Sequence, residues 1–86
     1  MTSTRHLRVM VHEVWDEVAA DWPSDATVAT VKAAALVTAR VTMPPEAFVV
    51  KFRGTEVRDE ARSLSELDIP DDANLIVLRR RRRAAY

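Results

Sequence analysis

The side chains able to do chemistry are few and scattered. His6 and His12 are the only imidazoles, and six residues along an extended chain separate them by about 20 Å, too far to share a metal ion or a proton. Serines and carboxylates are present, but no spacing pairs a nucleophile with a positioned base, and no glycine-rich loop can cradle a phosphate. Cysteine is absent, which removes disulfides, thiolate metal sites and thiol nucleophiles together and fits a reducing, cytoplasmic setting. These residues predict neither an enzyme nor a cofactor or metal site. The one dense chemical feature is the run Arg79, Arg80, Arg81, Arg82 and Arg83, whose guanidinium groups suit phosphates, an anionic surface or carboxylates. No series of exposed aromatics accompanies it, so base stacking has no support. A solvated tail, or one that docks on an acidic protein, is favoured over nucleic-acid binding.

The elements that must position these groups follow from patterning. Eighty-six residues fit one small core, and Gly54 is the only glycine, so the chain has the composition of a folded domain. The formal net charge of +0 hides an acidic body followed by the basic run. No apolar stretch reaches the roughly 18 residues that cross a bilayer. Leu7, Val9 and Val11 alternate with Arg8, Met10 and His12, which predicts a strand with the odd positions inward. A second strand over 14–22 places Val18, Ala20 and Trp22 on one side.

Pro23 to Asp25 then break the chain, and Thr27 caps a helix predicted over 28–40 with Val28, Val31 and Ala35 inward. Those residues are small, so Trp22, and Trp15 with it, are expected to fill the core. Pro44 and Pro45 lead to a strand over 48–53 that Gly54 ends, with a brief strand to follow around 56–58. Ser63 and Glu66 fit a capping box on a short helical turn anchored by Leu64, Leu67 and Ile69. The last strand, 75–78, is wholly apolar, as a strand with neighbours on both sides should be. The expected organisation is a disordered N-terminus over 1–6, one α+β domain over 7–80 and a flexible basic tail over 81–86, working as a monomer.

This order of elements, with several local runs, resembles ubiquitin from Leu7 to about Arg82. Pro23-Ser24-Asp25 with Thr27 and Val31-Lys32-Ala33 is similar to the start of its helix, and Pro44-Pro45 to the exit. Phe52-Arg53-Gly54, Leu64 to Ile69, and Leu75 to Arg80 resemble its third strand, its late short helix and its final strand. The resemblance implies a ubiquitin-like β-grasp fold, a mixed sheet of four to five strands packed on one main helix, of bacterial type. It also marks departures. Arg83 and Ala84 stand where ubiquitin and the sulfur carriers react through Gly-Gly, so activation and conjugation are not expected. Among ubiquitin's acceptor lysines only Lys32 has a counterpart.

What the resemblance implies about function is a recognition face on the exposed side of the sheet. By strand parity the outward residues are Arg8, Met10 and His12 on the first strand, Val49 and Lys51 on the third, and Ile76, Leu78 and Arg80 on the last. Lys51 replaces the central isoleucine of ubiquitin's apolar patch and Leu78 matches its valine. Met10, Val49, Ile76 and Leu78 then make an exposed apolar island rimmed by cations, suited to a protein partner with an acidic-rimmed apolar surface. Against this stands the ordinary tendency of sheets to carry scattered surface aliphatics. Receptors specific for ubiquitin should bind poorly, since Lys51 resists desolvation. The expected role is a noncovalent adaptor. The Met43-Pro44-Pro45 exit and the missing Gly-Gly are also similar to ubiquitin-like accessory proteins of type VII (WXG-type) secretion. Ubiquitin-like subunits of multicomponent oxygenases give another precedent. A nonclassical modifier and a nucleic-acid binder are the remaining alternatives.

Overall fold

The computed structural model describes residues 3–80. Strand β1 (Thr4–Val11) turns back into β2 (Asp16–Pro23), pairing Leu7 with Ala20 and Val9 with Val18. The predicted parity holds: Leu7, Val9 and Val11 are fully buried, and Val18 and Trp22 join them from β2. The strand begins earlier than the alternation indicated. Residues 4–6, expected to be disordered, pair with Pro23, Trp22 and Asp21. The backbone ladder carries this stretch, and His6 finds local partners, its amide donating to Asp71 Oδ1 at 2.6 Å and its Nδ1 lying 2.7 Å from Asp21 Oδ1, whereas Arg5 Nε is buried without a hydrogen-bond partner among the described residues.

Helix α1 (Val28–Thr38) follows, with Thr27 in extended backbone accepting a hydrogen bond from the Thr30 amide at 3.2 Å. It stops two residues short of the predicted end. Arg40 adopts a positive φ of 61°, and the amides of Arg40 and Val41 return to the carbonyls of Val37 and Leu36 at 3.0 and 2.9 Å. That is a Schellman reversal, built on arginine where glycine is usual. A 3-10 turn (Pro45–Ala47) then delivers the chain to β3 (Phe48–Phe52). Arg53 and Gly54, at φ 54° and 80°, form the two-residue loop to β4 (Thr55–Val57) that a twisted hairpin requires.

The stretch before the final strand makes a single helical turn. Its capping box closes in both directions, with the Glu66 amide on Ser63 Oγ and the Ser63 amide on Glu66 Oε1, each 3.1 Å. The bonds from Ser63's backbone and hydroxyl hold the Glu66 carboxyl below the usual carboxylate range. Asp68, at φ 55°, ends the turn, and Pro70 cannot extend it.

Strand β5 (Ala73–Arg79) lies at the centre of a five-stranded sheet ordered β2-β1-β5-β3-β4, parallel to β1 and antiparallel to β3. The core sits between the helix and one side of this sheet. Leu7, Val9, Val11, Val50, Leu75 and Val77 face Val28, Val31, Ala35 and Leu36, and Phe48, Leu64 and Ile69 add bulk. Trp22 contributes as expected, at 9% exposure. Trp15 does not: it is 78% exposed, in the turn between β1 and β2 at φ 53°. It lies in the turn ahead of β2 and not in the strand, away from the inner side that Trp22 faces, and Leu64, Ile69 and the Lys32 stem fill the space beside the small helix residues. Among the described residues no helix is long and apolar enough to cross a membrane.

Candidate interaction face of the sheet

The helix covers one side of the sheet, and the residues singled out from parity lie on the other. Register aligns them in rows. Met10 of β1 stands opposite Ile76 of β5, which stands opposite Lys51 of β3, with Glu17 beyond on β2 and Glu56 on β4. One step toward the C-terminal end of β5, Leu78 pairs with Val49, while the His12 amide bonds the carbonyl of Val77 at 2.9 Å. Arg8 pairs with Asn74 one step the other way. The structure therefore makes Met10, Ile76, Leu78 and Val49 neighbours, because each strand of the pairs β1–β5 and β5–β3 presents alternate residues to this side.

Their exposure differs from the island expected. Met10, Ile76, Leu78, Lys51 and His12 are half-buried, and only Arg8 and Arg80 are open to solvent. Val49 is 7% exposed, although it belongs to no part of the helix-side core. It lies in a shallow cleft lined by Lys51, Glu56, Leu78, Arg79 and Arg80. The long neighbouring side chains cover it with their apolar stems and leave their charges outward. The face is thus a low apolar strip under a cationic rim. Lys51 forms no ion pair among the described residues, whereas Lys32 is 5% exposed and engaged at 2.6 Å by Glu60 Oε1 and at 3.1 Å by the Phe48 carbonyl.

The arginine run divides at the edge of the sheet. Arg79 is the last residue of β5, opposite Phe48, and the Arg80 amide donates to the Ala47 carbonyl at 2.7 Å while its Nε reaches the Glu46 carbonyl at 3.4 Å. Arg81, Arg82 and Arg83 lie outside the described residues. The two histidines have separate surroundings, His6 against Asp21 and His12 stacked on Trp15 with centroids 5.1 Å apart and planes inclined by 26°.

Two surface residues escaped the reading from sequence. Trp15 and Val14, 78% and 45% exposed, crown the β1–β2 turn next to His12. Both lie in the turn ahead of β2, which begins at Asp16 and not at residue 14 as expected, so strand parity governs neither.

No family model matches the sequence, and no curated protein matches it either. Solved structures do. A designed protein based on ubiquitin superposes with a TM-score of 0.76 at 18% identity, covering 96% of each chain. The ubiquitin of Caldiarchaeum subterraneum gives 0.70 at 14%, covering 95% of this chain and 100% of that one. A ubiquitin-like domain from tubulin-binding cofactor B gives 0.76 at 15%, covering 92% of both. The fold is ubiquitin-like: a mixed five-stranded sheet, one helix and a lone 3-10 turn, of the α+β class.

Proposed function

We propose that this domain is a noncovalent protein-interaction module, an adaptor that engages its partner through the helix-free side of the sheet. The observation that carries the reading is the continuous strip of Met10, Ile76, Leu78 and Val49 beneath the charges of Arg8, Lys51 and Arg80. An apolar centre with a polar rim is the anatomy of an interface that is desolvated in the middle and oriented at the edge. The cationic rim selects a partner whose own apolar surface is bordered by carboxylates. Lys51 at the centre of the strip disfavours a partner that presents only aliphatic side chains there.

Two further features support the noncovalent reading. Arg83 and Ala84 occupy the positions where the resemblance to ubiquitin puts Gly-Gly. The amine of Lys32, the one lysine with a ubiquitin counterpart, is held by Glu60 and the Phe48 carbonyl and is not free to act as a nucleophile.

The test is crosslinking from Met10, replaced by a photoreactive residue, in native lysate. A discrete partner is expected, retained at low salt and released at high salt, and lost when Ile76→Asp and Leu78→Glu are combined in a chain that keeps its circular dichroism. Retention of the same partner by that double variant overturns the assignment of the face. Stable ladders of higher mass on a denaturing blot overturn the noncovalent reading and favour a modifier.

A further inference from the structure

The two edges of the sheet are finished differently. β4, at one edge, has three residues, whereas β2, at the other, has eight. A long edge strand presents a row of backbone donors and acceptors, and folded proteins ordinarily blunt such a row with a bulge, a proline inside the strand or lysines. β2 has none of the three. Its register with β1 runs unbroken from Asp16 to Pro23, its only proline is its last residue, and it contains no lysine.

Which backbone groups point off this edge follows from the ladder. On β1 the His12 amide donates to the Val77 carbonyl at 2.9 Å and the His6 carbonyl accepts from the Asp72 amide at 2.7 Å, so the even residues bond toward β5. Backbone groups alternate in direction along a strand, so the odd residues bond toward β2, where Leu7 meets Ala20 and Val9 meets Val18. Val18, Ala20 and Trp22 therefore use their amides and carbonyls on β1, while Glu17, Ala19 and Asp21 aim theirs outward. The same three residues are exposed, and Val18 and Trp22 between them are buried on the helix side.

The side chains along the edge select the strand that can add to it. Glu17 has no ion-pair partner among the described residues, and Asp21 stays 64% exposed while its Oδ1 holds the His6 ring. Ala19 between them leaves the approach open. A second copy of β2 is a poor occupant, because a two-fold antiparallel pairing centred on Ala19 sets Glu17 of each copy opposite Asp21 of the other. Like charges directly opposite destabilise a ladder, and a strand with cations at those positions reverses the sign. Its alternate residues would lie on the helix side next to Val18 and Trp22, where apolar side chains fit.

We infer that the outer edge of β2 is a docking site for an extended segment of a partner protein in which Lys or Arg alternates with apolar residues, joining the sheet as a sixth strand. The backbone of Glu17, Ala19 and Asp21 supplies the hydrogen bonds, and the two carboxylates supply the choice of partner. The contact uses the edge and not the helix-free side of the sheet, so each of the two surfaces stands or fails separately.

Amide hydrogen exchange of the full chain, read by NMR with a short peptide alternating Arg with Val as the probe, provides the test. At low salt the peptide is expected to slow exchange at Glu17, Ala19 and Asp21 about tenfold, since each outward amide gains a hydrogen bond, and to leave Val18 and Ala20 as they were. A peptide alternating Glu with Val should give no such protection. Ala19→Pro removes the middle outward donor and no bond to β1, so it should weaken binding of the Arg peptide about tenfold at an unchanged unfolding midpoint. Glu17→Lys combined with Asp21→Lys leaves the backbone donors in place and should transfer the preference to the Glu peptide, which carries the test alone if the proline variant unfolds. Equal protection by the two peptides overturns the inference, as does the absence of protection at millimolar peptide. Binding that Ala19→Pro leaves unchanged overturns it too. So does protection of the same amides without peptide that grows with protein concentration, which would make the occupant a second copy of the chain.

Discussion

The two sides of the sheet are built from nearly the same aliphatic residues and do opposite things with them. On β5, Leu75 and Val77 are 1% and 0% exposed against the helix, while Ile76 and Leu78, alternating with them, stay half-buried beneath charged neighbours. The same contrast recurs in the first hairpin, where Trp22 closes the core and Trp15 stands in solvent. Residue type does not separate the sides. What separates them is whether a second layer lies above, because an aliphatic side chain stabilises the fold in proportion to the area it removes from water. One side thus contributes stability, and the other leaves apolar area available for an association.

The sharpest way to break this comparison is to truncate the two tryptophans. Trp22→Ala should cost about 3 to 5 kcal/mol in urea unfolding, a large part of the roughly 5 to 10 kcal/mol expected for a chain of this size. Trp15→Ala should stay within about 0.5 kcal/mol, and a larger loss would mean the turn is part of the core after all. Next in size, Leu75→Ala should cost about 3 kcal/mol and Ile76→Ala about 1 kcal/mol, read from denaturation midpoints at constant slope. Equal costs would erase the distinction between the sides.

Smaller effects sharpen the comparison by probing what holds the covering layer in place. Removing the helix cap by Thr27→Ala should cost about 1 kcal/mol, with a matching loss of helical circular dichroism on mild heating. The least effect belongs to the capping box. Because folding lowers the Glu66 pKa, its ionised form contributes stability that is fully present above the unfolded carboxylate range, near pH 4.3, and is lost as pH falls through the lower folded value. Wild type and Glu66→Gln should therefore differ by a constant amount near neutrality and converge in acid. A difference that widened on acidification would contradict the bond to Ser63.

Most of the inner side was legible from the chain alone. The alternation of Leu7, Val9 and Val11, the cap at Thr27, the stripe of Val28, Val31 and Ala35, the turn at Gly54 and the box at Ser63 and Glu66 all stand where local rules put them. Each is a short-range feature, in which a residue and its neighbours within four positions decide the backbone. The outer side was legible as a set of residues but not as a surface. Parity named Met10, Val49, Ile76 and Leu78, yet Val49 lies in a cleft lined by Lys51, Glu56 and Leu78, which three different strands supply.

The sequence by itself determined the order of the strands and the helix and the inward parity of each, since these follow from periodicity. Only the tertiary structure decided that β1 begins at Thr4, that Met10, Ile76 and Lys51 share one row and that the β1–β2 turn lies beside the end of β5. Those outcomes rest on pairings between residues as many as sixty-six positions apart, such as Val11 with Val77, and the free energy of such a contact is set by which segments meet, not by the segment that carries the residue.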